Sequence, residues 1–199
     1  MNPIRDYISQ LHATLDQLPE EQIAAVVELL HEARVNQRHV FVMGNGGSSA
    51  TASHMVCDLM KNTRKVDLPN FRVIGLADNM PIFSAMANDE GYEHVFSQQL
   101  ASFVQPSDVV IAISASGNSR NVLNAVELAN RAGAHTIGMT GFDGGKLGRM
   151  VEFHLHVPSH VIEHVEDLHL MLEHLITKIL RSADSPEWTF KTLAAWSAS

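Results

Sequence analysis

Residues 40–49 read VFVMGNGGSS, and residues 109–119 read VVIAISASGNS. Each segment begins with an apolar run that is typical of a buried parallel strand and ends in a turn rich in glycine and serine. Glycines let successive backbone N–H groups point at one anion, and serine hydroxyls add further donors. A helical pattern follows each turn, and the amino end of a helix attracts negative charge. Two such turns predict a site for one phosphate group of a small molecule.

Other interpretations of these turns fit less well. The first turn departs from the dinucleotide-binding fingerprint G-x-G-x-x-G, because Ser49 stands where the third glycine belongs. It also lacks the Gly-Lys-Ser/Thr of a nucleotide-binding P-loop. The alternative without a ligand is that serine and asparagine merely cap two ordinary helices. We favour the phosphate site, because both turns share one composition.

The pattern on either side of these segments alternates between strand and helix. Strands are predicted at 40–43, 71–76, 108–113, 135–140 and 153–157. Helices are predicted at 49–61, 81–87, 92–104, 120–131, 144–149 and 165–181. This alternation predicts an α/β fold, with a parallel sheet flanked by helices on both faces in a three-layer, flavodoxin-like sandwich. The turns that follow the strands then share one sheet edge, where open α/β sheets bind their ligands.

Two further segments flank the predicted sheet. Helical periodicity over residues 6–35 predicts two helices before the first strand. We assign residues 1–36 to this N-terminal helical pair, with a role in oligomerisation, and residues 37–182 to one α/β domain. Residues 183–199, which include Trp188 and Trp196, form a C-terminal extension without an assigned function.

Composition narrows the class of protein. The chain has 199 residues, of which 45% are apolar, and a net charge of −8. This charge argues against nucleic acid or an anionic membrane as partner, and no apolar run is long enough to span a bilayer. The only cysteine, Cys57, excludes an intrachain disulfide and fits a cytoplasmic protein without a signal peptide. We expect its thiol to be buried.

Histidines and carboxylates recur at helical spacing in two predicted helices. His54 and Asp58 are four residues apart and share a helix face. Such a pair binds a divalent metal, transfers protons, or is simply a surface ion pair. Glu166 and His174 lie two turns apart on the last helix, so both can approach one site. A solvated acidic face is the alternative there.

Six motifs in this order carry a family resemblance. They are GNGGS at 44–48, His54 ahead of the acidic residue 58, AND at 87–89, SASGNS at 114–119, TGFDGG at 140–145 and VEDLHLMLEH at 165–174. The chain resembles the sugar isomerase (SIS) domain family. Within it, the chain is most similar to the phosphoheptose isomerase group, which converts sedoheptulose 7-phosphate to D-glycero-D-manno-heptose 7-phosphate through an enediol.

The resemblance implies a role for each matching residue. It implies Asp58 and His174 as catalytic residues, and Zn²⁺ or another divalent metal held by His54, Asp58, Glu166 and His174. It implies substrate binding by Asn45, Gly46, Gly47, Ser48, Asn88, Asp89, Ser114, Ala115, Ser116, Ser119 and Glu166. It also implies a homotetramer with shared active sites. The alternatives are a non-catalytic SIS protein that binds a phosphosugar or regulates a partner, and an isomerase of another sugar phosphate.

Two positions depart from the pattern of the family. Asp58 stands where the family usually has glutamate, and its side chain is one methylene shorter. Glu166 stands where the family has glutamine, which exchanges a neutral ligand for an anionic one. A set of two histidines and two carboxylates should bind a divalent metal more strongly than the usual set.

Overall fold

The computed structural model describes residues 2–190 of the chain. The strands are β1 (His39–Gly44), β2 (Arg72–Gly75), β3 (Val109–Ile113), β4 (His135–Thr140) and β5 (Phe153–His156). The helices are α1 (Pro3–Leu15), α2 (Glu20–Val35), α3 (Gly47–Lys61), α4 (Met80–Asp89), α5 (Val95–Ala101), α6 (Arg120–Ala132), α7 (Leu147–Met150) and α8 (Ile162–Ser182). A short 3₁₀ turn covers Tyr92–His94.

The five strands form one parallel sheet in the order β2-β1-β3-β4-β5. Alternate side chains of a strand point to opposite faces, and the apolar strands therefore feed two cores. Val40 and Val42 face the core that contains α2, α3 and α8. Phe41 and Met43 face the core that contains α5, α6 and α7. This arrangement confirms the predicted α/β fold with helices on both faces of a parallel sheet.

The two leading helices differ in their surroundings. The apolar face of α2, with Val26 and Leu30, is buried in the same core as the sheet. By contrast, α1 leaves Ile4 and Ile8 with 69% and 52% of their surface exposed. The hydroxyl of Tyr7 donates a hydrogen bond to Asp167 on α8 at 2.6 Å, which fixes α1 against the last helix.

Of the predicted C-terminal extension, residues 183–190 are described. Trp188 packs edge-on against His31 of α2, with ring centroids 5.2 Å apart. Trp196 and the rest of the extension lie outside the described residues. Among residues 2–190, no helix combines the length and the hydropathy that crossing a membrane requires.

Our prediction of a buried thiol at Cys57 is wrong, because this thiol is exposed. The inward face of α3 carries Ala52, Met55 and Leu59, which are almost completely buried. Since successive helical residues are about 100° apart, position 57 lies on the opposite side of the helix from position 55.

His169 is a buried histidine on the inner face of α8, with 1% of its surface exposed. Neither ring nitrogen has a hydrogen-bond partner. Burial lowers the pKa of this imidazole from 6.5 to about 4, and the nearby Thr140 carbonyl opposes the shift only in part. The ring is therefore neutral in the folded protein at pH values where an unfolded chain would already protonate it.

This shift predicts a loss of stability in mild acid. Above pH 6.5 both states hold a neutral ring, whereas between pH 6.5 and about 4 only the unfolded chain binds the proton. The free energy of unfolding should fall by about 3 kcal/mol over this window because of His169 alone. Chemical denaturation of the His169→Leu variant should show a flatter pH profile. The matched control is His12→Gln, at an exposed position of α1; equal slopes for both variants would contradict the prediction.

Candidate functional site

A cleft opens at the carboxyl edge of the sheet, between the ends of β1 and β3. These strands are neighbours in the sheet, and the chain order reverses between them, which is where open α/β sheets bind ligands. The cleft has a volume of about 320 Å³. It is lined by Asn45, Ser48, Ile113, Ser114, Ala115, Ser116, Ser119, Phe142, Ile162 and Glu166.

The first turn is held in a conformation that requires glycine. Gly46 has a φ of 55°, in the left-handed region. At Gly44, a Cβ atom would lie 2.6 Å from the carbonyl oxygen of Ser48, so the turn closes only without a side chain there. Ser48 is buried in the first turn of α3 and lines the cleft. The N–H groups of Ser49 and Ala50 bond back to the turn at residues 45 and 46, whereas the first N–H groups of a helix have no partner within the helix.

The second turn brings three serines to the same cleft. The Ser114 hydroxyl, which is buried, donates to the Ser119 hydroxyl at 3.1 Å, while Ser116 is exposed. Gly117 has a φ of 61°, and a Cβ there would lie 2.2 Å from the Gly144 carbonyl oxygen. No lysine or arginine is among the described residues that line this cleft. An anion bound here would therefore be held by hydroxyls and backbone N–H groups.

A hydrogen-bonded group fixes Asn45 at the rim. The Asn45 and Asn121 side chains exchange two hydrogen bonds, of 2.9 and 2.8 Å. The Tyr92 hydroxyl donates to Asn45 Oδ1 at 2.9 Å. Asn121 and Tyr92 were not predicted as site residues, since each stands only at the start of a predicted helix. Both oxygen and nitrogen of the Asn45 amide are thus oriented before a ligand arrives.

A second group of polar side chains lies where α3 packs against α8. Nε2 of His54 is 3.3 Å from Nε2 of His174 and 3.8 Å from Oδ1 of Asp58. Asp58 also accepts a hydrogen bond from Asn62 at 2.7 Å. The two imidazoles are exposed, whereas the carboxylate is largely buried. These three predicted residues therefore meet in space, although they come from two helices.

Glu173 joins the same group and was not predicted. One potential ligand atom from each of His54, Asp58, Glu173 and His174 lies within 4.8 Å of all the others. Glu173 is completely buried. Burial raises the pKa of its carboxyl, the charge of Asp58 raises it further, and His174 opposes this effect. Glu173 lies on the buried face of α8, where a hydrophobic pattern does not lead one to expect a charged side chain.

Comparison with known proteins agrees with this geometry. The model of the SIS domain family matches residues 5–141. The chain belongs to the SIS domain family. It is 37% identical over 183 residues to a phosphoheptose isomerase of Geotalea daltonii, covering 89% of this chain and 95% of that protein.

Solved structures extend the likeness to the whole SIS domain. A phosphoheptose isomerase from Neisseria gonorrhoeae has a TM-score of 0.82 at 28% identity, covering 90% of this chain and 97% of its own. One from Francisella tularensis has a TM-score of 0.81 at 27% identity, covering 92% of this chain and 100% of its own. The predicted resemblance to the SIS family and to its phosphoheptose isomerase group is confirmed.

Three other predicted site residues, Glu166, Asn88 and Asp89, lie outside the polar group of α3 and α8. Glu166 lines the cleft, and its Oε1 lies 2.9 Å from where a Cβ would stand at Gly47. A glycine at position 47 therefore leaves room for this carboxylate beside the first turn. Asn88 and Asp89 are exposed at the end of α4, bonded to each other at 2.6 Å. Neither of them lines the cleft.

Proposed function

We propose that this SIS domain is an aldose–ketose isomerase that converts sedoheptulose 7-phosphate to D-glycero-D-manno-heptose 7-phosphate. The main support for the proposal is that the same two helices, α3 and α8, contribute side chains both to the cleft and to the polar group. Helix α3 carries Ser48 at the cleft and Asp58 in the polar group, and α8 carries Glu166 and His174 in the same way. The relatives named phosphoheptose isomerase support this assignment.

The cleft is proposed to hold the phosphate and the near part of the sugar. Charge-assisted hydrogen bonds from hydroxyls and from the amino end of α3 suit a phosphate. Position 54 lies about 9 Å further along the helix axis than position 48. The two ends of an extended sugar phosphate can therefore lie at the cleft and at the polar group. The residues assigned to the phosphate are Ser48, Ser114, Ser116 and Ser119. Those assigned to the sugar are Asn45, Gly46, Gly47, Ala115 and Glu166, with Asn88 and Asp89 added on the resemblance to the family alone.

Asp58 and His174 are proposed to move the protons. The phosphate anchors the substrate, and its binding energy positions the reacting carbons against these two groups. Asp58 takes a proton from C1 while the proton of the O1 hydroxyl passes to O2, which gives the anion of the enediol. His174 then gives a proton to C2, which completes the aldose, and solvent carries the proton of Asp58 back to His174. The two side chains act as acid and base at neighbouring carbons, so no atom is lost or gained overall.

A divalent metal fits the polar group. Two imidazoles and two carboxylates are ligands that Zn²⁺ accepts, and His54, Asp58 and His174 supply three of them. Such a cation, Zn²⁺ or another divalent metal, polarises carbonyl and hydroxyl oxygens of a bound sugar. A carboxylate of α8 provides the fourth position: Glu166 by resemblance to the family, or Glu173 by its place in the group.

A homotetramer with shared active sites is also proposed. The exposed Ile4 and Ile8 side chains of α1 support it, because an apolar helix face is covered in most stable proteins. Light scattering at micromolar concentration should give about four times the mass of the chain, and a monomeric mass would refute it. We propose the cytoplasm as the compartment, where an exposed free thiol such as Cys57 persists.

The proposed reaction is tested by NMR of sedoheptulose 7-phosphate incubated with the protein in D₂O. We expect new aldoheptose phosphate signals and deuterium at the carbon next to the carbonyl, because the removed proton exchanges with solvent. Parallel samples with zinc or a chelator report whether a metal takes part. Deuterium exchange with shorter ketose phosphates only would mean that the substrate is another sugar phosphate and that the proposed isomerase chemistry is retained. No exchange with any of them would favour a non-catalytic, phosphosugar-binding SIS protein.

A further inference from the structure

Glu173 is an acidic side chain in a position that normally excludes charge. It lies directly before His174 on α8, and none of its surface is exposed. A buried carboxylate is stable only when it is protonated, paired or bound to a cation. In the described part of the chain, no lysine or arginine forms an ion pair with Glu173 or Asp58.

One oxygen of this carboxylate is satisfied and the other is not. Oε1 accepts a hydrogen bond from the Thr177 hydroxyl at 3.2 Å, which fixes the orientation of the carboxylate. Oε2 is buried without a hydrogen-bond partner. It lies 3.4 Å from Nε2 of His174, so the unpaired oxygen points into the polar group of α3 and α8. An unsatisfied buried oxygen of this kind costs stability unless a ligand binds it.

Three distances within the group lie close to the edge length of a metal-centred tetrahedron. Ligands about 2.1 Å from a tetrahedral ion are about 3.4 Å from one another. Oε2 of Glu173 is 3.4 Å from Nε2 of His174, and that nitrogen is 3.3 Å from Nε2 of His54. Oδ1 of Asp58 is 3.8 Å from Nε2 of His54. One potential ligand atom from each of the four residues lies within 4.8 Å of all the others, so small side-chain shifts would bring the four to one ion.

Glu166 is placed for a different role. Its carboxylate lies beside Gly47 and lines the cleft with the serines. It is absent from the only group of potential metal ligands found among the described residues. We propose that Glu173, in place of Glu166, completes the divalent-metal site with His54, Asp58 and His174, and that Glu166 is thereby left to contact the sugar. This inference rests on the metal site of the proposed function.

The inference is tested with the full-length Glu173→Gln variant, and Glu166→Leu is its control, because glutamine at position 166 would keep the neutral ligand that the family has there. Each protein is stripped with a chelator, dialysed and titrated calorimetrically with Zn²⁺, and Co²⁺ absorption spectra report the ligand geometry. Glu173→Gln should weaken Zn²⁺ binding on the order of 100-fold or more, because the loss of a partner that only supports a metal ligand already costs about 10- to 100-fold. Glu166→Leu should change it less than about threefold, the range expected for a surface substitution away from the site.

Thermal unfolding provides a second measurement of Zn²⁺ binding that does not depend on activity, and it shows whether each variant is folded. In the metal-free state, the Tm of Glu173→Gln should be no lower than that of the wild type, because a buried charge is removed. Its rise in Tm on adding Zn²⁺ should shrink, since the rise reflects binding to the folded state. If Glu173→Gln folds poorly, Glu173→Leu, of similar volume, provides the same comparison.

Each result has one interpretation. Unchanged Zn²⁺ affinity in Glu173→Gln, or a larger loss in Glu166→Leu, would overturn the inference and leave the proposed isomerase intact. Wild-type protein that binds neither Zn²⁺ nor Co²⁺ would overturn both the inference and the metal site. The isomerase activity itself is decided separately by deuterium exchange with the substrate.

Discussion

Replacing His174 by alanine, or Asp58 by asparagine, is expected to lower kcat for isomerisation by about 10²–10⁴-fold. Both side chains reach the group between α3 and α8, where His54 contacts each of them. A group that transfers a proton in the transition state contributes to kcat rather than to substrate binding. KM should therefore change little, and deuterium incorporation from D₂O should be lost together with turnover.

The control for this prediction is a histidine at the opposite edge of the sheet. His135 begins β4, and its Nδ1 lies 2.7 Å from Oε2 of Glu152. His135→Gln should leave kcat unchanged. Asp58→Glu keeps a carboxylate and should retain measurable activity, which Asp58→Asn should not. Full activity in both His174→Ala and Asp58→Asn would refute their assignment. Zinc content measured on each variant separates a lost proton donor from a lost ligand.

Removing the hydroxyls of the second turn is expected to raise KM for the phosphosugar. Ser114 and Ser119 are 3.1 Å apart through their hydroxyl oxygens and line the cleft. A hydrogen bond to a charged group contributes about 1.5–3 kcal/mol, which corresponds to about 10- to 100-fold in KM for each serine. The double alanine variant should lose less than the sum of both effects, because the two hydroxyls contact each other.

Comparing KM for sedoheptulose 7-phosphate with KM for unphosphorylated sedoheptulose isolates the contribution of the phosphate to binding. Wild-type protein should strongly prefer the 7-phosphate, and the double variant should lose much of this preference. Ser102→Ala is the matched control, since Ser102 is exposed at the end of α5, and it should leave KM unchanged. An unchanged KM in the double variant would refute the assignment of this turn to the phosphate, as would a fall in kcat alone.

Much of this architecture could be read from local patterns. The apolar runs before the turns at 44 and 114 predicted β1 and β3, because strands that are buried on both faces of a parallel sheet are apolar along their whole length. The position of the cleft followed, since consecutive parallel strands end at one sheet edge. Helix boundaries were less accurate: α3 begins at Gly47 and α8 at Ile162, ahead of the predicted 49 and 165.

Residue type and hydrophobic periodicity fail to predict burial at positions where an apolar residue is exposed or a charged residue is buried. Cys57 was expected in the core, because cysteine is an apolar residue type, yet its position on α3 faces away from the sheet. Glu173 is the converse, a charged residue on the buried face of α8. Hydrophobic patterns assume that charged side chains are solvated, so a buried carboxylate beside other polar groups cannot be recognised from its neighbours in sequence.

The sequence by itself determined what depends on short separations along the chain: the strands, the two glycine- and serine-rich turns, and the shared helix face of His54 and Asp58. Backbone geometry fixes such relations within a few residues. Only the tertiary structure decided which side chains of α8 meet those of α3. That meeting depends on how two helices 100 residues apart pack on one sheet, and it brings Glu173 and His174 to the group while Glu166 turns to the cleft.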